Sequence, residues 1–369
     1  MKKRRIVLAS ILKPVDDTRM YEKIGCSLAR VDGYQVFIIG FPSSKSISSS
    51  SDITFLPLKA FSRLSINRLV APFAVLKKTI QVKPELLIVN THELLIVGLL
   101  NRILFGTRII YDIRENYARN IRHTNAFPSM IKALLAGWVR VKEVITSPFF
   151  HGYFLAENIY ANQLSFVGKK GIVLENKAII PSNLRRVPEP GKIRLLFSGT
   201  LAESTGVFQA IQLAKELNQV NKSVELKIIG YCAQPSALYK LLSIIRNLSF
   251  VRLTGGDKLV PHPEILEAIQ QADFGIICYP TSEHIHQKIP TKLYEYLACQ
   301  LPILLQTNSL WESICKPYPA AIPIDFANLA PKALLTRIET SNFYQALPEN
   351  VTWGSEESRL LKMVSKFFI

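Results

Sequence analysis

The chain has 369 residues, 48% of them hydrophobic and 20% charged, which excludes a disordered segment and leaves room for two domains of ordinary size. Its formal charge of +17 is lopsided: residues 1–190 hold 28 Lys+Arg against 13 Asp+Glu, a net of +15, and residues 191–369 hold 17 against 15, a net of +2. No apolar run reaches the roughly 18–20 residues of a membrane span, and the longest, Leu94–Leu100, is broken by Asn101-Arg102.

The opening MKKRRIVLASIL imitates a secretory signal, but Lys13-Pro14 and Asp16-Asp17 stand where small cleavage-site residues belong, so it reads as a first strand. Further strands are expected near 36–41, 53–58, 86–90, 108–113, 144–147 and 171–175. Helices between them should begin near Asp17, Asn67, Glu93, Ser129 and Pro148. Ser43–Ser51 is a polar surface loop. In Phe61–Ile80, Arg63, Arg68, Lys77 and Lys78 interleave with Leu64, Leu69, Phe73 and Leu76. That pattern suits a helix lying in a membrane interface, and equally a core helix interrupted by Pro72. Pro181–Gly191 has three prolines and two arginines and reads as a linker.

The alternation restarts after the linker. Strands are expected at 193–198, 224–229, 250–253, 274–279, 302–306 and 321–325, with helices from Gly206, Pro235, Pro263, Thr291 and Ser309. Residues 355–369 form a last helix that packs across the interface. The expected division is 1–180, linker 181–191, 192–354 and 355–369. Alternating strands and helices imply α/β domains with parallel sheets, and two doubly wound domains place ligands at the carboxyl ends of their strands.

Residues at those ends carry the functional signal. Phe197-Ser198-Gly199-Thr200 closes one strand and Gly206 opens the next helix, and such small residues let backbone amides approach a phosphate. Ile229-Gly230 and Thr254-Gly255 close two more, and Asp273, at the start of a strand, reads as structural. In IPTKLYEYLACQLPILL, residues 289–305, Thr291 caps a helix that carries Lys292 and Glu295 on one face. The same spacing also describes a solvated ion pair. Leu293, Tyr296 and Leu297 face a core, and Ile303-Leu304-Leu305 is a buried strand. In the first half, Arg19 and Arg114 each follow a strand and suit phosphate contacts. The five cysteines show no paired spacing, which suits a reduced, cytoplasmic protein without a metal site.

The order SGTLxxxxGV, IIG, ADFGIICYP, PTKLYEYLACQLPIL resembles the nucleotide-sugar domain of retaining GT-B glycosyltransferases of family four. LKPVDDTRMYEKIGCSLARVDGYQVFIIG is similar to that family's opening strand–loop–helix. RIIYDIREN stands where many members have Tyr-Asp-x-His-Glu, and Val89-Asn90-Thr91-His92 matches another strand end. The resemblance implies two Rossmann-like domains facing across a cleft, and sugar transfer, with retention, from a UDP- or GDP-sugar to a lipid-linked or polysaccharide acceptor held by the first domain. It places Glu295 on the ribose, Gly199, Thr200, Gly230 and Gly255 along the donor, and Lys288 and Lys292 near the phosphates, with no metal.

This chain departs from the family in three respects. Gln287 replaces a glutamate and suits a sugar hydroxyl. Thr200 and Thr205 replace basic residues, so the charge on the leaving diphosphate falls to Lys288, Lys292, Arg114 or Arg19. Arg114 replaces a histidine, leaving His92 as the alternative catalytic position. The basic first half implies an anionic partner, a membrane surface at the inner face of the plasma membrane rather than nucleic acid, for which no reader motif is present. A nucleotide-sugar epimerase and a binding protein without catalysis are the competing readings.

Overall fold

The computed structural model describes residues 3–43, 51–62, 65–123, 128–181, 191–280 and 287–368. Most of the Ser43–Ser51 loop, Arg63 and Leu64, the linker residues 182–190 and residues 281–286 of the polar loop lie outside these. The chain forms two units: Met1–Asn176 together with Trp353–Ile369, and Lys177–Thr352. The terminal stretch therefore belongs to the first unit.

The first unit holds a seven-stranded sheet: β1 (Arg4–Pro14), β2 (Tyr34–Phe41), β3 (Ile53–Pro57), β4 (Leu86–Val89), β5 (Arg108–Ile113), β6 (Gly152–Leu155) and β7 (Gly171–Val173). Its order is β3-β2-β1-β4-β5-β6-β7, with every pairing parallel. The central strand β1 runs Ile6–Ala9 without a polar residue, and all four side chains are fully buried. A strand covered on both faces has no solvent side, so an unbroken apolar run is what it requires.

The second unit repeats the plan with β8 (Ile193–Thr200), β9 (Val224–Tyr231), β10 (Val251–Gly256), β11 (Phe274–Ile277), β12 (Ile303–Gln306) and β13 (Ala321–Ile324). Their order is β10-β9-β8-β11-β12-β13, again all parallel. Along β8, Leu195 and Phe197 enter one core and Leu196 the other. In each unit the strand order reverses once, between β1 and β4 and between β8 and β11. The crevice outside the carboxyl ends at such a reversal is where these folds bind ligands.

Two expected elements are corrected. The strand at 144–147 is the last turn of an 18-residue helix, Ser129–Thr146. The helix from Pro148 is a short turn, Ser147–Phe149, that leads into β6. Val144 and Ile145 are β-branched and invite a strand assignment, yet Ala136, Val139, Glu143 and Thr146 are buried at helical spacing while Val144 and Ile145 face out. Gly152 opens β6, and Cε of Met363 in the terminal helix Gly354–Ser365 lies over it, 2.1 Å from where a Cβ would stand. That helix is tied to the same unit by Trp353 Nε1, which donates to Ser27 Oγ at 2.9 Å.

Candidate active site

In the second unit the ends of β8, β9 and β10 are in register at Gly199, Gly230 and Gly255. A Cβ on Gly230 would lie 1.7 Å from the Gly199 carbonyl oxygen, and one on Gly255 2.3 Å from that of Gly230. Only glycine fits at these two positions. Gly199 differs: its φ is +105° and the space above it is open, the nearest atom to a Cβ being Lys292 Cε at 4.0 Å. The backbone is bared toward a lysine side chain.

Lys292 lies on the Thr291–Ala298 helix, which begins at Pro290 as the cap, with Thr291 as its first helical residue rather than the expected cap. The Lys292 side chain is buried, and its ammonium nitrogen has no hydrogen-bond partner among the described residues. It rests 4.1 Å above the Phe197 ring and 5.2 Å from that of Tyr279. Ring faces attract a cation but offer no acceptor. Burial lowers its pKa to about 8, with Cys278 and Glu295 acting in the opposite direction. The lysine is still mostly protonated at neutral pH, a charge held out of water with no carboxylate bonded to it among the described residues. Such a group is costly unless an anion completes it.

Glu295 is not that anion. Its Oε1 is 3.0 Å from Nε2 of His262, the first residue of the His262–Gln271 helix, so the solvated Lys292–Glu295 pair does not form. Behind them Tyr296 hydroxyl and Ser198 Oγ share a buried hydrogen bond of 2.9 Å. Gly275 makes room for that ring, since a Cβ would lie 2.4 Å from Tyr296 Cε2.

The turn after β8 is closed by Thr205, whose Oγ1 donates to the Thr200 carbonyl at 2.7 Å and accepts from the Ala202 amide at 3.1 Å. Neither threonine supplies charge. Gln287 is exposed and Lys288 half-buried, the Lys288 carbonyl accepting from Trp311 Nε1 at 2.7 Å. Asp273 lies away from these ends, bound to the Arg194 backbone amide at 2.8 Å and side chain at 3.2 Å. A groove of about 910 Å³ at the opposite, amino ends of β8–β10 is lined by charges such as Lys192 and Glu225, which pair at 3.1 Å. It is larger, but it lies at the end of the sheet where these folds do not place ligands.

The first unit has a smaller pocket of about 190 Å³ at the carboxyl ends of its strands, lined by Ser10, Leu12, Asn90, Thr91, Arg114 and Tyr117 among others. Asn90 is fully buried, and among the described residues neither its side-chain oxygen nor its nitrogen has a partner; the buried Thr91 hydroxyl and Arg114 Nη2 also lack one there. Such unmet buried groups are rare and mark a place for a polar ligand or water.

Arg114 Nε is 3.2 Å from Asp112 and its Nη1 2.7 Å from Asp17. Burial opposes the charge on Arg114, but Asp17 and Asp112 outweigh it and raise its pKa. Arg19 is 4% exposed, with Nη2 2.8 Å from Asp112 and Nη1 donating to the Leu174 carbonyl at 2.8 Å. Two guanidinium groups thus meet two carboxylates and their charges cancel. The expectation that Arg19 and Arg114 replace the missing basic residues does not fit this geometry; Arg19 is a structural brace, and Arg114 keeps one open donor. His92 is buried, with Nδ1 3.0 Å from Lys142 Nζ and Nε2 3.3 Å from Glu93. Burial lowers its pKa to about 4, so it is neutral at physiological pH.

Several of these residues were not singled out from sequence. His262, Phe197 and Tyr279 complete the Lys292–Glu295 surroundings, and the signal was their position at strand or helix ends beside the glycines. Asn90 and Thr91 belonged to a matched strand end but were not assigned to a site. Asp17 and Asp112 neutralise the arginines, and only the Arg114–Asp112 contact is local, since Asp112 meets Arg19 and Asp17 meets Arg114 across more than ninety residues.

No protein-family model matches the chain, and no curated protein matches it by sequence. Solved structures do match it in fold. Sucrose-phosphate synthase from Thermosynechococcus elongatus superposes with a TM-score of 0.72 at 13% identity, covering 99% of each chain. A glycosyltransferase from Rickettsia africae gives 0.67 at 10% identity, covering 100% of this chain and 99% of that one. Anabaena HepE bound to UDP-glucose gives 0.65 at 12% identity, covering 98% and 99%. The fold is GT-B, and its neighbours include glycosyltransferases.

Proposed function

We propose that this chain is a glycosyltransferase that binds a nucleoside diphosphate sugar at the carboxyl ends of β8–β11 and transfers the sugar, with retention, to a lipid-linked or surface-polysaccharide acceptor. One observation carries the reading: the buried, unpartnered Lys292 ammonium beside the open Gly199 turn. A diphosphate lying on that turn would meet backbone amides and complete the ammonium. In this reading Glu295 accepts from the ribose hydroxyls, replacing its bond to His262 or sharing it. Gly199, Thr200, Gly230 and Gly255 line the donor, Gln287 meets a sugar hydroxyl, and Lys288 adds charge.

The chemical requirement is to stabilise charge on the departing diphosphate. Thr200 and Thr205 supply none, so Lys292 carries that role, aided by the low-dielectric surroundings that make a fixed charge more effective. Retention follows if the leaving diphosphate accepts the acceptor's proton on the face it departs from, which needs no separate base. Arg114 Nη2, with Asn90 and Thr91, is assigned to a polar group of the acceptor, and His92 to holding that strand end. HepE, of the same fold, binds UDP-glucose, which supports a uridine donor here.

Thermal melting in the presence of UDP, GDP and the matching monophosphates tests the donor assignment. A rise in Tm with one diphosphate and little with its monophosphate is expected, because ligand linkage reports binding before any acceptor is known. Equal shifts for mono- and diphosphate would remove the role given to Lys292. The competing epimerase reading is favoured by a fold neighbour assigned as a UDP-N-acetylglucosamine 2-epimerase from Listeria monocytogenes, TM-score 0.60 at 12% identity. An epimerase would alter the bound sugar with no acceptor present, whereas a transferase would not.

A further inference from the structure

Three helices of the first unit, Asn67–Val82, Leu95–Phe105 and Ser129–Thr146, pack side by side. Their inner residues, such as Val75, Val97 and Ala136, are buried, but their outer faces are also apolar. Leu69 and Phe73 on the first are 72% and 70% exposed, Ile103 and Leu104 on the second 66% and 58%, and Leu134 and Trp138 on the third 75% and 61%. Apolar exposure on this scale on neighbouring elements is more than a monomer surface ordinarily leaves in water.

The charges on the same helices have one sign. Their sequences contain seven Lys and Arg and a single carboxylate, Glu143, which is buried. Lys142 Nζ lies 5.8 Å from the Trp138 ring centre, an arrangement in which an aromatic side chain and a basic head share an interface. A second copy of this face would bring cations against cations. An anionic bilayer complements both properties, taking the apolar side chains among its acyl chains and the ammonium groups at its phosphates.

We propose that this three-helix face docks in plane on a bilayer containing anionic phospholipid. The face belongs to the same unit as the polar pocket: Leu95–Phe105 begins four residues after Thr91, and Lys142 contacts His92. Docking would hold that pocket at the headgroup level, the depth at which a lipid-linked acceptor presents its polar end. This deepens the acceptor reading above, but the surface itself stands without it.

The test is vesicle flotation of the full chain with phosphatidylglycerol-containing and pure phosphatidylcholine vesicles, at low and high salt. Trp138 is the informative fluorophore, because Trp311 and Trp353 are buried. Flotation only with anionic vesicles, weakening with salt as screening sets in, together with a blue-shifted tryptophan emission, is expected. The pair Leu134→Glu and Trp138→Glu should lower vesicle partitioning at least tenfold, while its Tm response to the nucleoside diphosphate stays that of the wild type. A lost nucleotide response in the wild type would count against the donor site and leave docking intact. Three outcomes overturn docking: equal recovery with neutral lipid, undiminished flotation of the double variant, or a wild-type dimer in sedimentation that the double variant makes monomeric.

Discussion

The carboxyl ends of the two sheets are built from the same topology and hold their positive charge in opposite ways. In the first unit Arg19 and Arg114 are spent on Asp112 and Asp17. In the second unit the Lys292 ammonium has no hydrogen-bond partner among the described residues, above two aromatic rings and beside a bared glycine turn. A buried cation that has its anion is part of the fold, and one that lacks it is waiting for a ligand. Counting basic residues near strand ends would have ranked the first unit higher, and the geometry reverses that ranking.

Breaking the satisfied cluster should have the largest effect. Asp112→Ala leaves two buried guanidinium groups facing each other without their shared carboxylate, and removing one partner of a buried pair typically costs about 3–5 kcal/mol. Chemical denaturation should show that loss, with affinity for the nucleoside diphosphate unchanged wherever the protein remains folded. A neutral effect on stability would mean that the Arg19–Asp112–Arg114 network is not the brace described here.

Glu295→Ala should be milder and confined to the other side of the comparison. It removes the acceptor for the ribose hydroxyls, on the order of 2–3 kcal/mol of affinity when one partner is a carboxylate. It also leaves His262 without that partner. Calorimetry with the nucleoside diphosphate reads the effect, and unchanged affinity would remove Glu295 from the donor site.

The pH dependence sharpens the contrast further. Lys292 has its pKa lowered to about 8 by burial, against about 10.5 in an unfolded chain. Between those values the unfolded state binds more protons than the folded state, so the contribution of Lys292 makes stability rise with pH across that window. A difference of this size corresponds to roughly 3–4 kcal/mol. Denaturation of the wild type and of Lys292→Met from pH 7 to 10 isolates it: the rise should be present in the first and missing in the second. Identical profiles would show that the ammonium is not strained.

Much of this was legible in sequence for a physical reason. Parallel strands buried on both faces are unbroken apolar runs, so the centres of β1, β8 and β12 announce themselves. The glycines that end β9 and β10 are dictated by close backbone approach and Gly199 by its positive φ, and each shows in sequence as a glycine closing an apolar strand. The spacing of Lys292 and Glu295 is local. The readings that failed have separate physical causes. Val144 and Ile145 read as a strand because their apolar side chains were assumed to face a core, whereas they lie on an outward face of a helix. Thr291 reads as a cap by type, but Pro290 occupies that place. Arg19 and Arg114 read as open charges because, although Asp112 is two residues from Arg114, nothing near them in sequence reveals that it also answers Arg19 or that Asp17 answers Arg114.

Lys292→Met bears most directly on the site. Methionine fills a similar volume against Phe197 and Tyr279 without a charge to desolvate, and replacing a buried ionised group by a packed apolar one is often neutral or stabilising. The substitution should therefore leave the unliganded Tm unchanged or raise it, while calorimetry shows affinity for UDP or GDP, whichever the wild type binds, falling by about a hundredfold, the loss of roughly 3 kcal/mol expected for a charge-assisted contact. A variant that melts lower than the wild type and binds the nucleoside diphosphate equally well would contradict the assignment, and would make Lys292 a structural residue like the arginines of the first unit.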